Sequence, residues 1–305
     1  MDKEPAIKLL IELFEQNKFS DIKENLLEKI TIGTSFYANK YYSDQLFYRV
    51  IKYKYKPTNF IDTIYPPKEK CKIGRANKED EQIFYCANEK NTALYEINGQ
   101  ENDLCIITKW RVNRDLFLNT IGYSEKTYST ISKGDIITLP DRMENGEKFG
   151  IAIKDKSNVD CLELLGLLFS KENLIEDEQY YLLTNRIFKN ITGGFIKNRS
   201  NRTMDGLKYP TIRREGKSDC FALYKHVVDN GLIELLDFEF VKIKNSSISF
   251  EYEILDYGNG VNANGELHWL NLTKSYNHNS NDDDLIFVQE NNEIKCYTIE
   301  GELKD

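Results

Sequence analysis

The sequence has few of the residues on which the common catalytic motifs depend. It contains only three histidines, at positions 226, 268 and 278, and it has no GxSxG, HExxH, GxGxxG or P-loop pattern. Serine hydrolases, zinc proteases and the usual nucleotide-binding folds are therefore not indicated. Its six cysteines include no CxxC pair, which argues against zinc and disulfide frameworks and predicts reduced, buried thiols. No metal site is predicted.

Long apolar runs and an excess of basic charge are also missing. Lysine and arginine number 41 and aspartate and glutamate 49, so the net charge is −8 at pH 7. A nucleic-acid-binding surface needs a basic face, so direct nucleic-acid binding is not expected, whereas a basic protein partner would suit this charge. No apolar run approaches about 18 residues, so no membrane span is expected. The first 18 residues form an acidic amphipathic pattern rather than a secretory signal, and we expect a cytoplasmic protein.

Aromatic residues are abundant, and the chain separates into three zones. Its 305 residues include 19 tyrosines and 16 phenylalanines, which favours strands, and the length allows one or two domains. Residues 1–45 carry apolar residues at helical spacing and predict a helical extension. Residues 46–245 hold the main motifs. Residues 246–305 alternate as strands do and predict a β-rich segment, with a hairpin around Asn291–Asn292. This segment either completes the core sheet or forms a small appended β unit.

The central zone also carries patterns of regular structure. Periodicity predicts strands over 104–112 and 133–139 and helices over 162–169 and 177–190. The stretch 192–205 contains two adjacent glycines and a basic run, which predict a loop. This loop either is simply solvated or closes over a bound phosphate through Arg199 and Arg202.

The most informative segment is Lys72–Ile97, which carries Arg75, Tyr85 and Glu96 at intervals of ten and eleven residues. A guanidinium binds phosphate through a planar fork of donors. A tyrosine ring can stack on a charged nicotinamide. These residue types together are what a protein needs to hold and cleave a dinucleotide such as NAD.

A single carboxylate is sufficient for this chemistry. Cleavage of the nicotinamide–ribose bond passes through an oxocarbenium-like transition state, as glycoside hydrolysis does. Nicotinamide leaves as a neutral molecule from a cationic precursor, so no general acid is required. Glu96 alone could hold the ribose hydroxyls and stabilise the developing positive charge.

Four segments resemble the RES domain, a family named for an arginine, a glutamate and a serine. FYRV (47–50) resembles its first arginine-containing strand, and PPKEKCKIGRAN (66–77) the approach to the second arginine. IFYCANEKNTALYE (83–96) resembles the strand and helix that end on the glutamate. GLKYPTIRREGKSDCFAL (206–223) resembles the segment with the serine, where this chain has Thr211. Asp219 also replaces an asparagine that the family often carries.

By matching positions, the resemblance implies a role for each residue. Arg75 would contact the NAD phosphates, with Asn77 of the same GRxN sequence beside it, and Arg49 would be a second phosphate or structural contact. Thr211 would place a hydroxyl near the nicotinamide ribose. The predicted site therefore consists of Arg49, Arg75, Asn77, Tyr85, Glu96 and Thr211.

The resemblance also implies a fold and a function. We expect an α+β protein with an ADP-ribosyltransferase-like core of two mostly antiparallel sheets across a cleft, flanked by helices. We expect an NAD glycohydrolase or phosphorylase that acts as a bacterial toxin, with NAD as consumed substrate and no cofactor. An Xre-type helix-turn-helix antitoxin would be its partner, and a homo-oligomer is compatible with this function. A protein ADP-ribosyltransferase and a catalytically silent interaction module are the alternatives.

Overall fold

The structure is a computed structural model, and the chain in it forms two compact units that interleave along the sequence. The first unit comprises Met1–Gln45, Tyr65–Tyr85 and Val112–Ile233, and the second comprises Leu46–Ile64, Cys86–Arg111 and Glu234–Asp305. These units do not follow the boundaries expected at residues 45 and 245, because sequence periodicity does not show which distant segments pack together. The structure describes residues 3–31, 37–41, 43–123, 127, 156–170, 177–194, 204–246, 249–290 and 293–304.

The described parts of the chain contain both helices and strands. The α-helices are α1 (Glu4–Glu15), α2 (Glu24–Thr31), α3 (Ile61–Ile64), α4 (Lys90–Glu96), α5 (Lys156–Ser170), α6 (Glu178–Lys189) and α7 (Lys225–Asp229). The strands are β1 (Tyr37–Tyr41), β2 (Leu46–Lys52), β3 (Ile83–Ala87), β4 (Leu104–Val112), β5 (Leu116–Thr120), β6 (Gly206–Pro210), β7 (Asp219–Tyr224), β8 (Ile233–Ser246), β9 (Phe250–Val261), β10 (Leu267–Trp269), β11 (Tyr276–Asn279), β12 (Ile286–Glu290), β13 (Glu293–Tyr297) and β14 (Leu303–Lys304).

The first unit packs helices α1, α2, α5 and α6 with four neighbouring strands. Its strands lie in the order β1-β5-β6-β7. The β5–β6 pair is parallel, and the β1–β5 and β6–β7 pairs are antiparallel. Fully buried side chains of all four helices and of β6, among them Leu10, Leu27, Leu165, Phe188 and Leu207, form one apolar core. The core follows from the amphipathic spacing of the helices.

The helical extension expected over residues 1–45 is confirmed only in part. Helices α1 and α2 form as the spacing predicts. Tyr37–Tyr41 is instead a strand, paired with Leu116–Thr120. Tyrosine favours extended structure, and pairing with a neighbouring strand outweighs the local helical pattern.

The second unit is rich in strands. Its larger sheet runs in the order β3-β2-β4-β8-β9-β10, with β11 also paired to β9. Strands β12, β13 and β14 form a separate three-stranded sheet. The predicted hairpin is confirmed, since β12 and β13 pair antiparallel on either side of residues 291–292. Side chains from α4 and from both sheets, including Leu94, Val241, Ile254 and Phe287, share one core.

The predictions for the central zone have three outcomes. The strand over 104–112 and the helices over 162–169 and 177–190 are confirmed by β4, α5 and α6. The strand expected over 133–139 lies outside the described residues, as do Arg199 and Arg202 of the predicted loop. The first residues of that loop belong to a π-helical turn, Asn190–Gly194, that extends α6.

The coarse fold class is confirmed as α+β. The finer arrangement of an ADP-ribosyltransferase stays a prediction. Each of the six cysteines lies within the described residues, and each is a buried thiol, as predicted. None of the helices in the described ranges combines the length and the apolar character needed to cross a bilayer.

Candidate functional site

The GRxN sequence forms a turn that closes on the hydroxyl of Tyr85. Tyr85 lies in β3, and its hydroxyl accepts a hydrogen bond from the backbone N–H of Ala76 at 2.8 Å. The same hydroxyl donates to Oδ1 of Asn77 at 2.8 Å. Within the turn, the N–H of Gly74 donates to the carbonyl of Asn77 at 2.9 Å. The GRxN turn and Tyr85, which lie about ten residues apart in the sequence, are thus joined directly by hydrogen bonds.

Gly74 and Asn77 are required by the geometry of this turn. A Cβ atom at position 74 would lie 2.5 Å from Oδ1 of Asn77 and 3.1 Å from the Tyr85 hydroxyl, so a larger residue would collide. Nδ2 of Asn77 donates to the carbonyls of Lys72 at 2.8 Å and Lys78 at 2.9 Å, and the residue is 5% exposed. Both ends of the amide therefore hold the turn, which favours a structural role for Asn77 over the predicted contact with NAD.

Arg75 projects from the same turn towards two helices. Its guanidinium donates to the carbonyl of Phe169, one residue before the end of α5, and to the hydroxyl of Tyr180 in α6 at 3.1 Å. The guanidinium carbon lies 5.7 Å and 5.8 Å from the centres of these two aromatic rings. A cation at a helix C-terminus is favourable. Arg75 therefore helps to hold this end of α5.

Thr211 begins the turn between β6 and β7, and its side chain is completely buried. Its N–H donates to the carbonyl of Ser218 at 3.0 Å, and its own carbonyl accepts from the N–H of Gly216 at 2.8 Å. Contact between the Thr211 hydroxyl and a ribose would require the surrounding packing to open. That contact stays a prediction.

Asp219, at the start of β7, has buried polar partners. Its carboxylate accepts from Nζ of Lys208 at 2.8 Å and from the hydroxyl of Tyr123 at 2.5 Å. Nζ of Lys208 also lies 5.1 Å from the centre of the Tyr123 ring. A buried carboxylate needs such pairing to offset its loss of hydration. Sequence reasoning missed both partners, because only the antiparallel pairing of β6 with β7 brings Lys208 to Asp219.

The remaining predicted residues belong to the second unit. Arg49 lies in β2, partly buried, and its carbonyl accepts from the hydroxyl of Thr108 in β4 at 3.1 Å. Glu96 is the last residue of α4, as predicted, and is partly exposed. The first unit carries Arg75, Asn77, Tyr85 and Thr211, and the second carries Arg49 and Glu96.

The second unit also contains a cluster of charges that sequence reasoning missed, here named the Lys90 cluster. It consists of Lys90, Lys109, Asp237, Glu239 and Asp284. Nζ of Lys90 lies 3.0 Å from Oε1 of Glu239 and 2.5 Å from Oδ1 of Asp284. Nζ of Lys109 lies 2.6 Å from Oδ2 of Asp284. Lys90 is 6% exposed and Glu239 3%, so two lysines and at least two carboxylates balance one another inside the protein.

Opposite charges within the cluster outweigh the cost of burial. Burial alone would lower the pKa of Lys90, but Glu239, Tyr252 and Asp284 raise that pKa well above its ordinary value. Burial alone would raise the pKa of Asp284, but Lys90 and Lys109 lower it to about 2. Lys90 and Asp284 are therefore charged at neutral pH.

Asp237 behaves differently from the other carboxylates of the cluster. Burial raises its pKa from 3.8 to about 7, with Lys109 opposing the shift and Glu239 and Asp284 adding to it. Within the described residues it accepts no hydrogen bond from either lysine, since Lys109 and Lys90 pair with other carboxylates. Asp237 is consequently the group of this cluster that titrates near neutrality.

Replacing Asp237 by asparagine should change how stability depends on pH. The folded protein keeps a proton on Asp237 that the unfolded chain releases above its ordinary pKa of 3.8. Stability should therefore fall between about pH 4 and pH 7, by at most about 4 kcal/mol, since one pKa unit corresponds to about 1.4 kcal/mol. Asp237→Asn should remove this loss and be more stable than the parent at about pH 8. Urea denaturation at about pH 4.5, 6 and 8 measures the difference.

A second group contributes to pH dependence with the opposite sign and serves as an internal check. His278 is 6% exposed, and burial, together with Lys90, lowers its pKa. Its stabilising contribution is present above its ordinary pKa of 6.5 and is lost as the pH falls below that value. The parent and Asp237→Asn both contain His278, so the effect of His278 cancels when their free energies of unfolding are compared at the same pH. Equal slopes for parent and Asp237→Asn would contradict the assignment to Asp237.

The described residues thus define an α+β protein. In one unit the hydroxyl of Tyr85 closes the turn that carries Arg75, and in the other unit Glu96 ends helix α4. No protein-family model matches the chain, and no curated protein matches it. Among solved structures, the M. tuberculosis MbcT–MbcA toxin–antitoxin complex is similar at 10% identity and a TM-score of 0.34. The match covers 71% of this chain and 92% of the other. A likeness at this level carries no argument about function.

Proposed function

We propose that the protein is an NAD-consuming enzyme that cleaves the nicotinamide–ribose bond and acts as a toxin countered by an antitoxin. The observation that carries the proposal is the turn closed on Tyr85. The Tyr85 hydroxyl bonds Ala76 and Asn77 after Arg75, and the N–H of Gly74 before it bonds the Asn77 carbonyl, so the backbone is held on both sides of Arg75. An arginine held in this way is preorganised to bind a phosphate, because less conformational entropy is lost on binding.

In this proposal each motif residue has a distinct task. Arg75 binds the pyrophosphate through its guanidinium. The partly exposed ring of Tyr85 packs on the nicotinamide, whose positive charge favours the ring face. Glu96 stabilises the ribosyl cation as nicotinamide departs with the bonding electron pair. Water or phosphate then attacks the anomeric carbon, which gives hydrolysis or phosphorolysis. A protein side chain in the same position would make the enzyme an ADP-ribosyltransferase.

A catalytically silent interaction module is the competing function, and two observations favour it. The hydroxyl-bearing Thr211 is completely buried. The guanidinium of Arg75 is engaged with the end of α5 through the Phe169 carbonyl. In a silent module these residues would serve only the fold, and no NAD would be consumed.

The decisive experiment follows the loss of NAD over time with purified protein, with and without phosphate. Loss in both buffers would indicate hydrolysis, and loss only with phosphate would indicate phosphorolysis. Glu96→Gln is the matched inactive control. In the proposed toxin role, bacteria expressing the parent should lose NAD and stop growing, and those expressing Glu96→Gln should not. No NAD loss in vitro or in cells would favour the silent module.

Replacing Arg75 by alanine should weaken NAD binding about 10- to 100-fold. A hydrogen bond to a charged group contributes about 1.5–3 kcal/mol, and each 1.4 kcal/mol is about tenfold in affinity. Arg75→Lys keeps the charge but loses the planar fork, so its affinity should lie between the two. Calorimetric titration with NAD measures the effect.

The contact between Arg75 and α5 requires a stability control for this prediction. Besides the proposed phosphate contact, Arg75→Ala removes the hydrogen bonds to Phe169 and Tyr180. Tyr180→Phe removes the Tyr180 bond but leaves the guanidinium in place, so it should lower stability without the same loss of affinity. Equal NAD affinity in Arg75→Ala and the parent would remove Arg75 from the phosphate site.

A further inference from the structure

Helix α4, which ends at Glu96, is held at its first turn by a polar segment far along the chain. The segment is Ser280–Asp284, which follows β11. Nδ2 of Asn91 donates to Oδ1 of Asn281 at 2.9 Å. The hydroxyl of Ser280 donates to Oδ1 of Asn91 at 3.0 Å. Together with the ion pair between Lys90 and Asp284, these contacts tie two successive residues of α4 to one short segment.

The segment is itself anchored to the sheet of the second unit. The N–H of Phe250, at the start of β9, donates to the hydroxyl of Ser280 at 3.0 Å. The N–H of Ser280 donates to the carbonyl of Phe250 at 2.8 Å. Ser280 is 8% exposed. The segment is thus fixed to β9 by Ser280, and to α4 by Ser280 together with Asn281 and Asp284.

A lysine at the start of a helix is electrostatically unfavourable, because the helix N-terminus carries partial positive charge. Lys90 is the first residue of α4 and is 6% exposed. Its position is stable only because Glu239 and Asp284 lie beside it. The first turn of α4 is therefore determined by contacts outside the helix.

Displacement of the first turn would move Glu96 as well. Helix α4 has seven residues, so its two ends are about 9 Å apart at 1.5 Å per residue. The fully buried Leu94 and the ring of Tyr95, 4.9 Å from that of Phe250, pack the later turn against the same region. A helix of this length moves as one piece, so the first turn helps to set the position of the carboxylate.

We propose that Ser280, Asn281 and Asp284 are positioning residues that hold α4 so that Glu96 meets the reacting ribose. This inference rests on the proposed function and extends it to a part of the chain outside the segments that carry the RES resemblance. A carboxylate that stabilises a developing cation must be held closely, and a misplacement of about 1 Å can cost on the order of 100-fold in rate.

Asn281 offers a clean test because it is exposed, so its replacement should not prevent folding. Asn281→Ala removes the acceptor for Asn91, whereas Asn281→Asp keeps an acceptor oxygen in the same place. Asp283→Ala, an exposed neighbour in the same segment, is the matched control. We expect Asn281→Ala to lower kcat for NAD about 10-fold with KM nearly unchanged. Asn281→Asp should recover most of this loss, and Asp283→Ala should match the parent.

Two further measurements separate positioning from a general loss of structure. Amide hydrogen exchange should be faster in α4 of Asn281→Ala than in the parent and unchanged in the strands of the second unit. Combining Asn281→Ala with Glu96→Gln should lower turnover no further than Glu96→Gln alone, because the two changes act through one carboxylate.

The outcomes distinguish failure of this inference from failure of the proposed function. If the parent consumes NAD but Asn281→Ala leaves kcat and exchange unchanged, the positioning role is overturned and the proposed function stands. A raised KM with unchanged kcat would overturn it as well. If the parent consumes no NAD, the proposed function fails, and exchange still decides whether the segment holds α4. Unchanged exchange would then reject the inference also.

Discussion

Replacing Glu96 by glutamine should lower the turnover of NAD about 100-fold or more while leaving NAD binding nearly unchanged. Glutamine keeps the size of the side chain and one oxygen that can accept from the ribose hydroxyls. It loses the negative charge that stabilises the oxocarbenium-like transition state. Removal of one preorganised electrostatic stabiliser commonly costs on the order of 100- to 1,000-fold in kcat. The effect should therefore fall on kcat and not on KM.

Steady-state NAD consumption, together with calorimetric NAD binding, measures this prediction. Glu101→Gln is the matched control, since Glu101 is an exposed glutamate in the turn after α4 and should behave as the parent does. Melting temperatures of the three proteins should agree closely, because Glu96 is partly exposed. A Glu96→Gln protein as fast as the parent would show that the proposed mechanism is wrong.

Replacing Lys90 by methionine should destabilise the protein by about 3–5 kcal/mol. Methionine fills a similar volume but leaves Glu239, which is 3% exposed, without its cation. Breaking a buried pair by removing one partner is far more costly than losing the pair's net attraction, because an uncompensated charge remains inside. Urea denaturation at about pH 7 measures the change in the free energy of unfolding.

Two variants make the cause of this destabilisation testable. Lys295→Met removes a lysine from an exposed ion pair with Glu290 and should change stability little. Adding Glu239→Gln to Lys90→Met removes the stranded charge and should recover a large part of the loss. Recovery would identify the buried carboxylate as the cause. If Lys90→Met alone were as stable as the parent, the Lys90 cluster would not contribute to stability.

Local structure near the motifs could be predicted closely from sequence. IFYCA forms strand β3 over Ile83–Ala87, and the following helix ends at Glu96 as predicted. The resemblance of residues 83–96 to a strand and helix that end on a glutamate implied both, and the apolar run IFYCA is itself typical of a buried strand. Gly74, the residue before Arg75, lets the Tyr85 hydroxyl and the Asn77 amide of the protein itself approach the backbone closely.

The partners of buried polar groups could not be predicted in the same way. Glu239 and Asp284 lie 149 and 194 residues from Lys90 along the chain. No periodic pattern connects them, and a lysine in a sequence is usually solvated. Asp284 ends an acidic run whose residue types are typical of a loop. Its pairing with Lys90 and Lys109 depends entirely on where this segment packs in the folded protein.

By itself the sequence determined the α+β class, the main strands and helices, and the candidate residues Arg75, Tyr85 and Glu96. Tertiary structure alone decided that Asn77 serves the turn, that Thr211 is completely buried, and that α4 is held from residues 280–284. The physical reason is the range of the forces involved. Backbone propensity and apolar spacing act between near neighbours in the chain, whereas burial of a charge is tolerated only where distant segments supply its partner.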